Sequence, residues 1–340
     1  MGLIFKKSVP VAALFLLILP AVAHHSRTIF DYEQLVTVEG VVTKYEFANP
    51  HIHLYVETET DAGEAVVWAF ETGPTTTMRR RGWSDSAFFV GDRVIVEGHP
   101  MKVSGTTTAA IADNSVRIVG AASSNSAGLA AAVEGERSSP IIADGLSGVW
   151  EVPRTSFIDE FSEPFDWALT DKGAEALSTY DDLTMNPQTR CMARSVPWVM
   201  IFSGVQEIAV GDSEVSIRTE YDTVDRLVHM DAASHDNATV SYHGHSIGWW
   251  EGDALVVDTT HFAGNRNGNA RGVQSGPQKH LVERFELNPD RTRLTYSFEL
   301  ADPEYLAATV TGQFQSTYRP DLEFDPIACD PEIARRFLGD

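Results

Sequence analysis

Residues 242–259 read YHGHSIGWWEGDALVVDT, two short runs of alternating side chains on either side of the turn residues Glu251-Gly252-Asp253. Alternation with period 2 predicts a β-strand on each side of this turn. The same pattern continues through the rest of the chain from Gly148, with further runs at 206–210, 214–221, 226–231, 280–287, 293–300 and 307–318. About eight consecutive antiparallel strands predict an up-and-down barrel or a strongly bent sheet.

Two more features belong to this second domain. Gly148-Val149-Trp150 opens its first strand, and this Gly-x-Trp entry resembles the opening of lipocalin-like barrels. Thr170 or Asp171 is a suitable N-cap for a helix that runs to about Tyr180. We therefore expect a larger antiparallel lipocalin-like β-barrel over residues 148–340. A barrel of this size can hold one small apolar or amphipathic ligand in its interior.

The first part of the chain has a different order of elements. Strands are predicted at 36–47, 52–59, 65–71, 93–98 and 115–119, and a short helix at 75–82. Asp61-Ala62-Gly63 has the chemistry of a hairpin turn. Three strands, a helix and two strands is the order of an OB-type five-stranded barrel. The chain is therefore expected to be mainly β, with two barrels of different size.

The N-terminus has the pattern of a signal peptide. Lys6 and Lys7 precede a short apolar run at residues 11–19, and Ala21-Val22-Ala23 is a small-residue cleavage site. The run is too short to span a bilayer, which needs about 20 residues. An uncleaved anchor is the alternative. We expect cleavage after Ala23, which gives a periplasmic or secreted chain with no integral membrane segment.

The domain order that follows has four parts. These are the signal peptide at 1–23, the OB-like domain at 24–119, a linker rich in Ala, Ser and Gly at 120–147, and the larger barrel at 148–340.

The net charge of the chain argues against one class of partner. The formal charge is -22, and loss of a leader with two lysines and no acid changes it to -24. So acidic a surface repels phosphate backbones and argues against nucleic-acid binding.

Cys191 and Cys329 are the two cysteines. In an exported protein an even pair is most simply a disulfide, which here would tie the C-terminal tail to the middle of the second domain.

Motifs in both domains resemble uncharacterised families. The first set is Ala23-His24-His25-Ser26, Asn49-Pro50-His51, Trp68-Ala69-Phe70-Glu71, Arg81-Gly82-Trp83 and Gly91-Asp92 with Gly98-His99-Pro100. It is similar to a family of small exported bacterial proteins known only as a domain of unknown function, over roughly residues 23–119. The second set is Arg190-Cys191, His229-Met230-Asp231, Gly244-His245-Ser246-Ile247-Gly248, Trp250-Glu251-Gly252-Asp253 and Leu255-Val256-Val257-Asp258-Thr259.

The second set resembles another uncharacterised group that is often found in exported proteins. Here Ala232-Ala233-Ser234 stands where Gly-Arg would be expected before the next histidine. The two resemblances imply export and a two-domain layout, and they imply no established activity.

Histidines near the new N-terminus predict a metal site. Cleavage after Ala23 would leave His24 with a free α-amine beside its imidazole, which together form a bidentate nitrogen chelate. A third histidine nitrogen would complete a tetragonal site suited to copper, with zinc as the alternative metal. His51 and His53 lie two apart on one predicted strand, so both point to one face. The alternative is that His24 belongs to a disordered tail and the other two are surface or turn residues.

A second group of polar side chains lies on two predicted strands of the larger barrel. His229 and Asp231 are two apart on one strand, and His243 and His245 are two apart on the other. If these faces meet inside the barrel, they form a polar patch able to bind metal or move protons. Otherwise they face solvent or form a hydrogen-bonded network in the core, because period 2 alone does not identify the inner face.

The segment Gly244-His245-Ser246-Ile247-Gly248 matches the G-x-S-x-G pattern of hydrolase nucleophile elbows, and Asp258, His261 and His280 follow in the expected chain order. An elbow needs a strand, a sharp turn and a helix, whereas this segment leads into another strand, so the match is coincidental. Trp249 and Trp250 point to opposite faces, so one packs in the core and the other lines a pocket.

Three functions are open at this point. The first is a non-enzymatic periplasmic binding protein, with copper or zinc at His24, His51 and His53 and a small ligand near His243, His245 and Trp249. The second is an enzyme that uses His229, Asp231, His245 and Ser246 in the barrel. The third is a structural or interaction module. The sequence specifies no oligomeric state.

Overall fold

The chain folds into two closed β-barrels that follow one another in sequence. The computed structural model describes residues 30–60, 62–103, 105–119, 141–152, 167–181, 185–201, 204–220 and 224–330. Within these residues, no helix is both long and apolar enough to cross a membrane. The predicted signal peptide and His24 lie outside the described residues, as do residues 120–140 of the predicted linker.

The first barrel contains five strands and a short helix in the described part of the chain. These are β1 (Val36–Glu46), β2 (Ile52–Glu59), β3 (Ala65–Thr72), α1 (Thr75–Arg80), β4 (Arg93–Pro100) and β5 (Thr108–Ile118). The strands close in the order β1-β2-β3-β5-β4, and β3 pairs with β5 in parallel. Inward side chains such as Val42, Leu54, Phe70 and Val96 form its buried core. The predicted five-stranded barrel is confirmed.

The second barrel is larger, with nine strands among the described residues. They are β6 (Gly148–Val152), β7 (Gly204–Val210), β8 (Glu214–Thr219), β9 (Val224–His229), β10 (His245–Glu251), β11 (Ala254–Thr260), β14 (His280–Leu287), β15 (Arg293–Ala301) and β16 (Val310–Tyr318). A separate two-stranded sheet is formed by β12 (Asn265–Ala270) and β13 (Val273–Ser275). The residues of β12 are mostly polar, so alternation does not predict this hairpin.

β9 and β10 are neighbours in the second barrel, and we call the junction between them the seam. The two strands pair in parallel, through Val228 with Ser246 and His229 with Ile247. A parallel pair needs a crossover connection rather than a tight turn, and the segment 230–244 supplies it. The larger barrel is therefore confirmed, and the parallel seam is its departure from a purely antiparallel order.

An ion pair lies inside the second barrel and reaches across the seam. Arg226 on β9 binds the carboxylate of Glu283 on β14, and the two side chains are 3% and 0% exposed. Arg226 also donates to Ser246 Oγ on β10 at 3.0 Å and to Thr259 Oγ1 on β11 at 2.7 Å. Tyr296 on β15 donates its hydroxyl to Glu283 Oε1 at 2.9 Å. Five strands are thus joined from within.

Large side chains occupy the rest of the interior. Trp150 and Phe285 are fully buried, and the Phe285 ring lies 5.1 Å from the ring of Tyr296. Tyr296 in turn lies 5.0 Å from Phe314 on the neighbouring strand. The middle of the barrel is therefore filled by its own side chains, as in other small barrels.

Short helices pack against the β12–β13 hairpin. α2 (Asp171–Ser178) contacts β13, and α3 (Trp198–Ile201) contacts β12, with a 3-10 helix at Pro187–Arg190 between them. Thr170 Oγ1 accepts a hydrogen bond from the backbone N–H of Gly173 at 3.0 Å. This is the geometry of an N-cap, so the predicted start of α2 is confirmed.

The end of the predicted linker packs with the second barrel. Ala143 and Leu146 are buried in its core, and the indole N–H of Trp150 donates to the Leu146 carbonyl at 2.9 Å. The described segment 141–147 therefore forms part of the barrel rather than a free tether.

The C-terminal tail connects the two barrels. Cys191 and Cys329 form the predicted disulfide. Arg80 of α1 donates two hydrogen bonds to the carboxylate of Glu220, at 2.8 and 2.6 Å. Glu220 is buried and also accepts from the backbone N–H of Asp325 in the tail at 2.8 Å. A paired, fully hydrogen-bonded carboxylate therefore lies at the contact between the domains.

Lys279, just before β14, is wholly buried. Its Nζ donates to the carbonyls of Val196 and Gly268 at 2.5 Å each, and it lies 4.4 Å from the ring centroid of Phe262. Burial lowers the pKa of Lys279 from 10.5 to about 7, while the carboxylate of Asp302 opposes this shift. The charged form is disfavoured because the amine is removed from water.

Because the pKa of Lys279 is lowered in the folded state, we expect its contribution to the free energy of unfolding to increase as the pH rises from about 7 towards 10. In this range the unfolded chain keeps a proton on the amine that the folded chain has lost, so unfolding takes up a proton. Urea unfolding of the wild type and of Lys279→Met across this pH range would measure this change in the unfolding free energy. The difference between their unfolding free energies should change with pH in this direction, and a constant difference would contradict the assignment.

Removal of Arg226 should destabilise the second barrel strongly. In Arg226→Met, Glu283 remains buried without its partner, which costs about 3–5 kcal/mol. The double variant Arg226→Met/Glu283→Gln should recover much of this loss, because the uncompensated charge is gone. The matched control is Arg93→Met, which breaks the exposed Arg93–Glu39 pair and should cost about 1 kcal/mol or less. Equal losses in Arg226→Met and Arg93→Met, measured by urea unfolding, would show that the internal pair is not structural.

Candidate functional site

Five histidines and one aspartate meet on the outer face of the second barrel, beside the seam. We call this group the imidazole cluster, and its members are His229, His235, His245, Asp258, His261 and His280. His245, Asp258 and His280 lie on the adjacent strands β10, β11 and β14, at positions that alternate with buried residues. They therefore point away from the core. The segment 230–244 brings His235 to the same place.

Asp258 lies between two of the histidines. Its Oδ1 is 2.8 Å from His235 Nε2, and its Oδ2 is 2.6 Å from His280 Nε2. Partial burial raises the pKa of Asp258, but hydrogen bonds from His280 and His235 outweigh burial and lower it below its usual value. The hydrogen bond to Asp258 raises the pKa of His280. Asp258 is therefore an ionised acceptor that orients both rings.

His235 connects Asp258 to His245. His235 Nδ1 lies 2.8 Å from His245 Nδ1. Because the Nε2 hydrogen of His235 is donated to Asp258, a neutral His235 ring carries its lone pair on Nδ1, which faces His245. The carboxylate thereby fixes the tautomer of the first ring and presents a nitrogen to the second.

Two more rings flank this pair. His229 stacks on His245 with 5.1 Å between ring centroids, and His261 stacks on His235 at 5.9 Å. The pKa of His245 is lowered, first by burial and then by the neighbouring rings of His235, His229 and His261. His245 is therefore held in its neutral form, which is the form that binds metal ions.

The backbone around the cluster is unusual. His261 has a φ of 58°, in the left-handed region that residues with a side chain rarely adopt. Gly244, just before β10, has a φ of 75°, and a Cβ there would lie 2.6 Å from the Thr260 carbonyl oxygen. Only glycine fits at that position without displacing β11. Strained backbone of this kind is concentrated at functional sites.

The four residues considered for catalysis do not share one cavity. His229 and His245 do meet in the imidazole cluster, as their period-2 spacing allows. Asp231 is exposed beyond the end of β9. Ser246 points inward, where its hydroxyl contacts Arg226 and Thr259. His245 and Ser246 are neighbours on a strand, so they face opposite sides of the sheet and cannot act together.

The remaining ligand-binding candidates are also separated. His243 lies before β10 and its ring contacts Tyr242 at 5.1 Å, outside the imidazole cluster. Trp249 is on the outer face of β10 and is 41% exposed, and Trp250 is 44% exposed. The expectation that one of the two packs in the core is therefore wrong, and both lie near the end of the β10–β11 hairpin.

Sequence reasoning missed His235 as a site residue and connected Asp258, His261 and His280 only with the elbow motif. The signal that was available is Asp258 itself, a carboxylate that directly follows the apolar run Leu255-Val256-Val257 within one predicted strand. An ionisable residue in such a run needs a partner, since burying an unpaired charge is costly.

The first barrel has a smaller group of the same type. His51 Nδ1 lies 3.0 Å from Glu71 Oε1, and His53 Nε2 lies 3.7 Å from Glu71 Oε2. His53 is buried and on β2, while His51 just precedes that strand. The two histidines that the sequence placed on one face therefore do converge, on a carboxylate of β3 that was not predicted.

Metal geometry is incomplete in both groups. Within the described ranges, no three His, Cys, Asp or Glu side chains are placed so as to hold one metal ion. His235 and His245 present two nitrogens to each other, and any further ligand would have to come from a ring that turns, from solvent or from a bound molecule.

The fold and the cluster define a two-barrel β protein with a histidine-rich surface site. The model of a family of unknown function (DUF6152) matches residues 13–110, which include most of the first barrel. This finding confirms the resemblance of the first domain to an uncharacterised family. No protein of curated function and no solved structure matches the chain. The resemblance of the second domain to another group stays a prediction.

Proposed function

We propose that this chain is an exported binding protein that takes up a transition metal ion, copper or zinc, at the imidazole cluster. The observation that carries the proposal is the chain Asp258–His235–His245, in which two imidazole nitrogens face each other at 2.8 Å. A metal ion bound by His235 Nδ1 and His245 Nδ1 would take the place of the hydrogen bond that joins them, and the two rings would turn to admit it, because each metal–nitrogen bond is about 2.0 Å long.

The carboxylate of Asp258 supports the proposal that the imidazole cluster binds a metal ion. Histidines that bind metal commonly donate their other ring N–H to a carboxylate, which fixes the tautomer and strengthens the ligand. Asp258 makes that contact with His235 at 2.8 Å. Imidazole is a good ligand for both copper and zinc, and an overall formal charge of -22 favours the approach of cations.

The site is expected to exchange its metal rather than to hold it permanently. Two nitrogens face each other directly, and His229 and His261 are the nearest rings that can supply a third after rotation. Structural zinc sites have four protein ligands, and catalytic ones have three. Fewer ligands in place mean weaker binding and open positions for water or a ligand.

Titration calorimetry of the chelator-treated full chain with copper and, separately, zinc tests the proposal. We expect His235→Ala and His245→Ala each to weaken binding at least about tenfold. Asp258→Asn should weaken it by about tenfold while leaving both ligands present. His243→Ala is the matched control, because it removes a nearby histidine outside the cluster and should leave binding unchanged.

Thermal melts must first show that each variant is folded. If the double variant His235→Ala/His245→Ala binds both metals as the wild type does, the cluster is not the metal site.

A second candidate site is supported by the convergence of His51 and His53 on Glu71. We propose that His24, released by cleavage after Ala23, adds its α-amine and imidazole to this group and completes a copper site. His24 lies outside the described residues, so the support comes from the sequence pattern and from the placement of the two other histidines.

The N-terminal site can be tested without changing any side chain. A chain that begins at His24 should bind one more equivalent of copper than a chain with a methionine before His24, because the extra residue removes the free α-amine. Electron paramagnetic resonance of bound Cu(II) would show the change in nitrogen ligands. His24→Ala should give the same loss, and His25→Ala should not. Equal copper content in all four proteins would remove this site and leave the imidazole cluster unaffected.

A further inference from the structure

We propose that the second barrel binds a short, neutral oligosaccharide in an open groove on its outer face, with Trp249 as the platform for a sugar ring. This site is separate from the metal proposal. It rests on a row of paired side chains that crosses five strands and on the groove above them.

The register between neighbouring strands places five side chains in one row along the floor of the groove. Trp249 on β10 pairs with Val256 on β11, which pairs with Arg284 on β14. Arg284 pairs with Ser297 on β15, which pairs with Gln313 on β16. Directly paired residues lie on the same face of a sheet, so all five side chains point outward together. Neighbouring strands are about 4.8 Å apart, so the row is roughly 19 Å long.

All five residues line a groove of about 550 Å³. This volume lies within the range of small-molecule sites. The groove is elongated, which suits a short chain of linked rings better than one compact molecule. Its second row contains Val282, Glu299 and Thr311, and Val282 pairs with Asp258, so the groove borders the imidazole cluster.

Trp249 has the properties of a stacking platform. The residue is 41% exposed, and its Nε1 donates to Glu251 Oε1 at 3.1 Å. Arg284 Nη1 donates to the other oxygen of Glu251 at 2.9 Å. The ring is therefore exposed but held in one orientation, which reduces the entropy lost on binding. An aromatic face buries the C–H face of a sugar ring, while its edge stays accessible to water.

The remaining lining residues are suited to hydroxyl groups. Ser297, Thr311 and Gln313 offer neutral donors and acceptors, and Arg284 offers several N–H donors in a plane. Glu251 pairs with Arg284, which also contacts Glu286, and Glu283 pairs with Arg226. Among the described lining residues, Glu299 is therefore the acid without an ion pair. A lining with many neutral hydrogen-bonding groups and one aromatic ring fits a neutral polyhydroxyl ligand better than a strongly charged one.

An apolar ligand fits less well. Val256 and Val282 are the aliphatic side chains of this lining, and the polar groups around them would lose water without gaining partners. The interior of the barrel, where an apolar ligand is usually held, is filled by Trp150, Phe285 and Tyr296.

The test uses the full chain after chelator treatment, so that metal binding does not contribute. The probes are linear hexamers of β-1,4-linked glucose, α-1,4-linked glucose and β-1,4-linked N-acetylglucosamine, titrated to millimolar concentration by calorimetry. We expect at least one hexamer to bind. Trp249→Ala should weaken that binding by about tenfold or more, and Gln313→Ala by a smaller factor.

Trp250→Ala is the matched control. Trp250 is the next residue, it is 44% exposed, and it does not line the groove, so its loss should change affinity less than about twofold. The proposal is overturned if no hexamer binds, or if Trp250→Ala weakens binding as much as Trp249→Ala. It is also overturned if the apolar dye 1-anilinonaphthalene-8-sulfonate binds in a Trp249-dependent way and no hexamer displaces it.

Discussion

The buried pair of Arg226 and Glu283 is the interaction on which the second barrel depends. A barrel has no free edges only if every neighbouring pair of strands is joined, and β9 and β10 are joined through a short parallel contact. Few backbone hydrogen bonds are available at such a seam. Arg226 adds side-chain bonds to β10, β11 and β14 from inside, so the seam is held by charge-assisted contacts where the backbone ladder is short.

Closure of the seam has a direct consequence on the opposite face of the same strands. Val228 pairs with Ser246, so the residues next to them, His229 and His245, are brought side by side outside the barrel. The connection between the strands carries His235 over them. Successive side chains on a strand point to opposite faces, so Ser246 points inward to Arg226 while its neighbour His245 points outward to His235.

Two carboxylates, each with two or more hydrogen-bond partners, connect elements that are far apart in sequence. Asp258 joins His235 and His280 on the barrel surface, and Glu220 joins Arg80 of the first barrel to the C-terminal tail. The tail is itself tied to the second barrel by the Cys191–Cys329 disulfide. In a chain with many more acids than bases, these acids are used where elements far apart in sequence must stay together.

The sequence alone determined the two barrels, most strand positions, a cap of α2 at Thr170 or Asp171 and the pairing of the two cysteines, because alternation, capping and cysteine number are local properties. It also offered His229 and His245 as candidate site residues. Only the tertiary structure decided which face each residue occupies and which partners it meets. The parallel seam, the convergence of His235, Asp258 and His280, and the row from Trp249 to Gln313 all depend on register between strands. Register is set by long-range packing, and a shift of one residue would move every one of these side chains to the other face.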